Sequence, residues 1–327
     1  MHAPAAAFVG HNRPRNAGTP LDVSCFEHVG VNASAVERRA ATLTTRRSVK
    51  KEFQAAWLVQ AVRCIDLTTL SGDDTPGRVH RLCAKARRPF DEELLKGLDL
   101  ADDPPHVGAV CVYSAMVGPA VKALAGSGIP VAAVATGFPA GLTPLKQRLD
   151  EISYAVGEGA AEIDIVVHRA HVLNRDWNAL YEETAAMREA CGAAHMKAIL
   201  ATGDLKTLRN VYAASLVTMQ AGADFIKTST GKEDVNATLP VSLVMLRAVR
   251  DFGERTGFEI GFKPAGGVRT AKDAIAWLTL MKEELGRVWM EPDLFRFGAS
   301  GLLGDIERQL SHYLTGRYSA GHRHAVA

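Results

Sequence analysis

The feature that most constrains the fold is a repetition of eight similar units that begins near residue 62. Each unit has a short apolar run typical of a β-strand, a polar or glycine-rich turn, and an amphipathic segment of about 10 to 18 residues typical of a helix. The runs start about 24 to 44 residues apart, the size of one strand, one crossover helix and two loops. The predicted strands are Cys64 to Leu67, Gly108 to Val112, Val131 to Ala135, Glu162 to Val167, Lys197 to Ala201, Asp224 to Thr228, Ile260 to Lys263 and Leu294 to Phe297.

Strands that alternate with helices predict a parallel sheet, and eight units over roughly 250 residues match the (β/α)8 barrel in number and length. An open doubly wound sheet usually carries a glycine-rich fingerprint directly after its first strand. Here the sequence DLTTL occupies residues 66 to 70, and the G-x-G at residues 126 to 128 precedes a strand. We therefore predict the α/β class, with a (β/α)8 TIM barrel and an N-terminal helical extension.

The sequence outside the repeats predicts the domain organisation. Residues 1 to 60 are a tail and helical extension, residues 61 to 316 the barrel, and residues 317 to 327 a flexible C-terminal tail. The extension carries the basic residues Arg46, Arg47, Lys50 and Lys51. Such a run is more often a solvated helix face than a binding patch.

Composition excludes several classes of partner. Thirty-eight Lys and Arg against 36 Asp and Glu give a net charge of +2, so we predict neither nucleic-acid nor anionic-membrane binding. No apolar run approaches the roughly 18 residues that a membrane span requires. Aromatic residues make up only 6% of the chain, which suits a core of small aliphatic side chains better than a platform for stacking bases.

Cysteine usage indicates the compartment. The five cysteines are scattered and form no C-x-x-C pair, which predicts neither a disulfide framework nor a cysteine-rich zinc site. A reducing, cytoplasmic location fits best. The alternative is an organellar transit peptide, because no acidic residue precedes Asp22 while Arg13 and Arg15 are present.

Four charged residues stand at predicted strand ends, where a (β/α)8 barrel carries its active site. They are Asp66, Asp164, Lys227 and Lys263. Two ammonium groups roughly 6 Å apart would repel by about 3 kcal/mol at an effective dielectric near 20, or about two pKa units. One of the two lysines would then be largely neutral near pH 7 and able to form a Schiff base with a carbonyl. The alternative is that each lysine pairs inertly with Asp164 or Asp224.

The two aspartates each have two interpretations. A period of two puts Glu162 and Asp164 on one face of the fourth strand. If that face points into the barrel, Asp164 can hold an ammonium group or relay protons; if it points outward, the side chain is merely solvated. Asp66 is a candidate of the same type, or it organises the turn with the threonines that follow.

Glycine-rich turns follow the sixth, seventh and eighth predicted strands, where such a barrel commonly binds phosphate. Glycine lets backbone amides approach a ligand, and helix N-termini add free N–H donors. Their convergence favours a phosphorylated small molecule over plain turns. The candidate residues are Thr230, Gly231, Lys232, Gly266, Gly267, Val268, Gly298 and Ser300.

A metal site is not predicted. His168 and His171 are three residues apart and can share a helical face, but no cysteine, third histidine or well-spaced carboxylate completes a metal shell. A solvent-facing or supporting role is favoured for both. We therefore predict no metal and no cofactor.

Six segments together resemble the deoxyribose-phosphate aldolase family, in its longer, animal-type form. They span residues 64 to about 305 in order, nearly the whole predicted barrel. The segments are DLTTL at 66–70, VATGFP at 134–139, EID at 162–164, GADFIKTSTGK at 222–232, GFKPAGGVR at 261–269 and FRFGAS at 295–300.

The resemblance implies a metal-free class I aldolase that reversibly cleaves 2-deoxy-D-ribose 5-phosphate to D-glyceraldehyde 3-phosphate and acetaldehyde, in deoxyribonucleoside catabolism. Lys227 matches the family's Schiff-base lysine and Lys263 the lysine that lowers its pKa. Asp164 matches the proton-relay carboxylate, and Asp66 a supporting polar residue. Gly231, Gly266, Gly267, Gly298 and Ser300 fall on the family's phosphate-binding positions.

Two departures from the family pattern stand out. Gly301 occupies a position where many members have a hydroxyl residue. Bacterial members use a C-terminal tyrosine in proton handling, whereas Tyr318 here lies nine residues before the end. Two other functions remain open: a non-catalytic phosphosugar-binding protein, and a Schiff-base aldolase for another phosphorylated sugar. The sequence leaves the oligomeric state open and is compatible with a homo-oligomer.

Overall fold

The computed structural model describes residues 13–46 and 48–324, and this part of the chain contains eight strands and thirteen α-helices. The strands are β1 (Ile65–Thr68), β2 (Ala109–Tyr113), β3 (Val131–Val134), β4 (Glu162–Val166), β5 (His195–Ile199), β6 (Phe225–Lys227), β7 (Gly261–Lys263) and β8 (Phe297–Ala299).

The helices surround the strands. They are α1 (Ser24–Glu27), α2 (Ala33–Arg46), α3 (Lys51–Arg63), α4 (Pro76–Arg87), α5 (Glu92–Gly97), α6 (Val117–Leu124), α7 (Leu145–Gly157), α8 (Arg169–Leu173), α9 (Trp177–Ala190), α10 (Leu208–Gln220), α11 (Leu239–Thr256), α12 (Ala271–Glu284) and α13 (Leu302–Thr315).

All eight strands are parallel and form one sheet in the order β7-β6-β5-β4-β3-β2-β1-β8. Two isolated bridges, Phe262 to Phe295 and Ala265 to Gly298, join the β7 side to the β8 side and close the ring. The predicted (β/α)8 barrel is therefore confirmed. Strand residues that point outward pack under the helices, as Ile163 and Ile165 do, both fully buried.

The predicted bounds of the fifth and eighth strands differ from the observed bounds by two residues or more. β5 begins at His195, two residues before the predicted start, and the predicted eighth strand overlaps β8 only at Phe297. The backbone N–H groups of Leu294 and Phe295 both donate to the Glu291 carbonyl, at 3.0 and 2.8 Å. These bonds close a turn, so regular pairing with β1 begins at Phe297. The sequence of a short apolar run does not show which of its backbone N–H groups bond within a turn and which pair with a neighbouring strand.

The N-terminal extension packs on one side of the barrel. α2 contacts α11 and α12, and α3 contacts α12 and α13. Arg39 on α2 forms ion pairs with Glu283 and Glu284 at 2.7 and 3.0 Å. Asn16 donates its side-chain amide to the Met219 and Ala223 carbonyls. The predicted boundaries at residues 60 and 316 stay predictions. Residues 1–12 and 325–327, at the two ends of the predicted tails, lie outside the described part.

Local sequence signals set several helix starts. Thr270 and Asp273 form a reciprocal capping box at the start of α12. At the starts of α5, α10 and α11, the side chains of Asp91, Thr207 and Thr238 each accept one hydrogen bond from a backbone N–H of the first turn. Within the described residues, no helix is long and apolar enough to cross a bilayer.

Gly261 tests the packing between β6 and β7. It pairs directly with Phe225, and a Cβ at Gly261 would overlap the buried Phe225 ring. Because neither side can move freely in a packed core, we expect Gly261→Ala to lower the free energy of unfolding by about 1 to 3 kcal/mol in denaturant titrations. Gly304→Ala in α13 is the control, since an added Cβ there meets nothing within 4 Å. Equal stability of the two variants would contradict this packing.

Candidate active site

A network of seven buried charged side chains fills the interior of the barrel toward the C-terminal ends of the strands. Its members are the carboxylates Asp66, Glu162 and Asp164 and the cations Lys197, Lys227, Lys263 and Arg296. Each is at most 2% exposed. Ions at this depth are tolerated only when paired and hydrogen-bonded.

Asp164 is the centre of this network. Its Oδ2 accepts hydrogen bonds from Lys227 Nζ at 2.7 Å and from Lys263 Nζ at 2.8 Å. Its Oδ1 accepts from Lys197 Nζ at 2.9 Å. The β6–β7 register pairs Lys227 with Lys263, which is why both reach one oxygen. The face of β4 that carries Glu162 and Asp164 therefore points into the barrel.

Asp66 and Arg296 complete the network. Asp66 Oδ2 accepts from Lys263 Nζ at 2.5 Å, and Asp66 Oδ1 accepts from Arg296 Nη1 at 2.7 Å. Arg296 Nη2 also donates to Glu162 at 2.9 Å, and Lys197 donates to the other Glu162 oxygen at 2.5 Å. Asp224, the alternative lysine partner, instead accepts from Arg15 and from the backbone of Asn16 and Met196.

The pKa of Lys227 lies below the ordinary lysine value, although Asp164 lies beside it. Burial lowers its pKa most, Asp164 opposes this, and the charge of Lys263 lowers the pKa further. Burial would also lower the pKa of Lys263, but Asp164 and Asp66 outweigh it and raise that pKa above the ordinary value. Lys227 is therefore the lysine of the pair with more of the neutral amine.

Asp164 and Asp66 stay ionised because the neighbouring cations outweigh the effect of burial. Burial would raise the pKa of Asp164, but Lys197, Lys227 and Lys263 hold it well below the ordinary value. Burial likewise opposes ionisation of Asp66, and Lys263 and Arg296 outweigh it. Asp164 can therefore accept a proton from Lys227 or from a group bound to it, but does not keep that proton at rest.

Sequence reasoning missed Lys197 and Arg296 and gave Glu162 no role. Lys197 stands in the middle of the apolar strand His195–Ile199, and Arg296 stands between two buried phenylalanines. A charged residue inside an apolar run was the available signal. These residues differ from solvated ones only in that their side chains point into the barrel, and the sequence does not show which face of a strand points inward.

A cavity of about 370 Å³ opens above the network. It is lined by Lys227, by threonines and other residues after β1, and by the turns after β6, β7 and β8. Every predicted phosphate residue lines it: Thr230, Gly231, Lys232, Gly266, Gly267, Val268, Gly298 and Ser300. Arg269 and Gly301 line it as well, although neither was among the predicted site residues.

Backbone conformation suits this cavity to an anion. Gly231, Gly266 and Gly267 have φ of 88°, 77° and 86°, a region that side-chain-bearing residues rarely adopt. The N-terminus of the 14-residue helix α13 follows Gly301 at the cavity wall, so its free N–H groups and dipole favour negative charge there.

The C-terminal segment lies beside the cavity. Tyr318 is 63% exposed, stacks on His312 at 4.2 Å between ring centroids, and is not among the residues that line the cavity. His324 is buried and bonds Ser319 at 2.6 Å between Nε2 and Oγ. In the described part of the chain, therefore, this tail does not bring its tyrosine to the lysines.

A buried lysine of lowered pKa at the mouth of a (β/α)8 barrel, with an ionised carboxylate beside it, is the arrangement that a Schiff-base aldolase requires. Comparison with known proteins agrees. The model of the DeoC/LacD family of aldolases matches residues 61–289. The chain therefore belongs to the DeoC/LacD aldolase family.

Similar proteins cover almost the whole chain. The mouse protein named deoxyribose-phosphate aldolase is 62% identical over 93% of this chain and 96% of its own length, and the human protein of that name is 61% identical over 94% and 97%. Among solved structures, a tetrameric deoxyribose phosphate aldolase from Aeropyrum pernix has a TM-score of 0.60 at 21% identity, covering 86% of this chain and 99% of that one. This structure supports the barrel fold.

Lys263 tests the electrostatic control of Lys227. In Lys263→Leu, a neighbouring positive charge is lost and Asp164 is freed to hold the Lys227 ammonium group, so both effects raise the pKa of Lys227. If the pKa rises by about one unit, the neutral fraction near pH 7 falls about tenfold. We expect the rate of imine formation with acetaldehyde, trapped by cyanoborohydride, to fall accordingly and its pH profile to move to higher pH.

The matched control is Lys272→Leu, which removes an exposed lysine on α12. It should leave the pH profile unchanged. If Lys263→Leu is folded by circular dichroism but keeps the wild-type pH profile of imine formation, then Lys263 does not set the pKa of Lys227.

Proposed function

We propose that this protein reversibly cleaves 2-deoxy-D-ribose 5-phosphate to D-glyceraldehyde 3-phosphate and acetaldehyde. The observation that carries the proposal is the shared bond of Lys227 and Lys263 to Asp164 Oδ2, beneath a cavity lined by glycine-rich turns. The high identity to mammalian proteins named deoxyribose-phosphate aldolase supports the choice of substrate.

In this mechanism the neutral amine of Lys227 attacks C1 of the open-chain sugar, and loss of water gives the imine. A base then takes the proton of the C3 hydroxyl group, and the C2–C3 bond breaks. Its electron pair enters the imine and forms an enamine, while C3 leaves as the aldehyde of glyceraldehyde 3-phosphate. Protonation of the enamine at C2 and hydrolysis release acetaldehyde and restore Lys227.

Asp164 is the group proposed to relay protons, and Lys263 is the proposed cation that lowers the pKa of Lys227. Asp164 Oδ2 lies one hydrogen bond from each lysine nitrogen, so a proton can pass between them through this oxygen or a water beside it. Lys263 stays cationic because its pKa is raised. Asp66 holds Lys263 from the other side and is proposed as a supporting residue.

The phosphate end of the substrate is proposed to bind the turns after β6, β7 and β8. Backbone amides of Gly231, Gly266, Gly267 and Gly298 and the hydroxyl group of Ser300 are the proposed contacts, with Thr230, Lys232 and Val268 completing the wall. Binding there sets the distance from the phosphate to Lys227 and thereby selects sugars of one length.

We place this reaction in the cytoplasm and in deoxyribonucleoside catabolism, with no metal and no cofactor. A homo-oligomer is part of the same proposal, since the relative from Aeropyrum pernix is tetrameric. Neither a nucleic acid nor a membrane is proposed as a partner, because the net charge of +2 gives no field to attract one.

Reductive trapping tests the proposed reaction. Borohydride added with 2-deoxy-D-ribose 5-phosphate should leave an N-ethyl group on Lys227, located by peptide mass spectrometry, because the acetaldehyde imine is reduced in place. Lys227→Met should form no adduct there and lose cleavage activity, while Lys272→Met behaves as wild type.

Three results would overturn the proposal. Folded wild-type protein without any adduct excludes a Schiff base. Thermal stabilisation by the sugar phosphate without turnover indicates a non-catalytic binding protein. Faster cleavage of fructose 1,6-bisphosphate than of deoxyribose 5-phosphate indicates an aldolase for another sugar.

Gly301 tests the phosphate site. An added Cβ at Gly301 meets nothing within 4 Å, and its φ of −97° suits any residue. We expect Gly301→Ser to add a hydroxyl donor to the phosphate and to lower KM about fivefold, the equivalent of about 1 kcal/mol from one hydrogen bond. Steady-state kinetics measure this, and Gly301→Ala separates the hydroxyl group from the Cβ. Equal KM values for the serine and alanine variants would contradict phosphate binding at this wall.

A further inference from the structure

Two histidines and a glutamate meet where α7, α8 and α9 pack together. His168 precedes α8, His171 lies within it, and Glu183 lies on α9. One ligand atom from each side chain lies within 4.8 Å of the other two. We propose that these three residues form a binding site for one Zn²⁺ ion. This inference goes beyond the proposed aldolase reaction and does not depend on it.

The geometry of the three side chains carries the proposal. The spacing of three residues puts both imidazole rings on one side of the α8 turn, with 4.4 Å between ring centroids and 65° between ring planes. His171 Nε2 lies 3.4 Å from Glu183 Oε1. All three side chains are partly buried, so a bound ion would be shielded from water on the protein side.

Two polar atoms of these side chains lack a hydrogen-bond partner. His171 Nε2 and Glu183 Oε2 are buried and make no hydrogen bond within the described part of the chain. Buried polar atoms are normally satisfied, so each exception calls for an explanation. A metal ion between them would accept both lone pairs.

Arg148 orients the carboxylate of Glu183, and the ligand types determine which metal fits. It lies on α7, is 3% exposed, and forms an ion pair with Glu183, with 2.9 Å between Nη2 and Oε1. This bond fixes the carboxylate and leaves Oε2 for a metal, as the outer partners of metal ligands commonly do. Mg²⁺ and Ca²⁺ take six or more oxygen ligands, whereas this site offers two imidazoles and a single carboxylate. Zn²⁺ bonds strongly to imidazole nitrogen and accepts two histidines and a carboxylate with one open position.

This site is separate from the lysine network. His168, His171 and Glu183 lie on or beside helices outside the barrel, whereas the lysines and carboxylates of the network project from strands into its interior. The sequence offered only the histidine pair, because Glu183 is twelve residues further along and on another helix. Only the packing of α9 against α8 brings the carboxylate to the two rings.

Zinc binding to the metal-free, full-length protein tests the inference. We expect isothermal titration with ZnCl₂ to give one site per chain, and His171→Asn and Glu183→Gln to weaken it at least about 100-fold, since even an outer partner of a ligand is worth 10- to 100-fold. Excess Mg²⁺ should not compete. His80→Asn, which removes an exposed histidine on α4, is the matched control and should bind as wild type.

A second measurement guards against loss of folding in the variants. Saturating Zn²⁺ should raise the Tm of the wild type and of His80→Asn, because a ligand that binds only the folded state stabilises it. It should not raise the Tm of folded His171→Asn. Absence of zinc binding by the wild type would overturn the inference, as would unchanged affinity in both His171→Asn and Glu183→Gln.

Discussion

The carboxylate of Asp164 is the interaction on which the active site depends. Three lysine nitrogens lie within 2.9 Å of its two oxygens, and all four side chains are withdrawn from water. Removing one partner of such a buried pair typically costs about 3 to 5 kcal/mol, because the remaining charge is left uncompensated. The same arrangement that makes the ions tolerable therefore fixes the position of the reactive amine, so that stability and chemistry rest on one set of contacts.

Barrel geometry makes this arrangement possible. Parallel strands present alternate side chains to the interior, and neighbouring strands hold paired residues side by side. Asp164 lies opposite Lys197 in the β4–β5 register, and Lys227 lies opposite Lys263 in the β6–β7 register. Four strands thus bring their charges together, although Lys227 lies opposite Ile199, two positions beyond Lys197, in the β5–β6 register. Arg296 precedes β8 and reaches Asp66 and Glu162 across the interior, which links the closing strand to the opposite side of the ring.

The barrel and four of the charged site residues could be predicted from the sequence. The other charged residues and the position of the eighth strand depend on packing and on a turn. The alternation of apolar runs and amphipathic segments predicted the barrel, because strand and helix periodicity can be read from the local sequence alone. Asp66, Asp164, Lys227 and Lys263 were predicted because each is a charge at the end of an apolar run. Lys197 and Arg296 were missed because which side of a strand faces inward depends on packing with its neighbours. The eighth strand was misplaced because the Glu291 carbonyl takes two amides of the apolar run into a turn.

The sequence argument for a neutral lysine relied on repulsion between two ammonium groups. The structure shows that burial lowers the pKa of Lys227 more than this repulsion does. Burial is the largest influence that lowers the pKa of Lys227, and Lys263 adds to it, while Asp164 acts in the opposite direction. Repulsion alone would not select one lysine of the pair. Selection arises because Lys263 contacts two carboxylates, Asp66 and Asp164, whereas Lys227 contacts only Asp164 within the network. With four cations and three carboxylates enclosed together, neutralising the least compensated cation removes the excess charge, and that cation is the lysine whose amine faces the cavity.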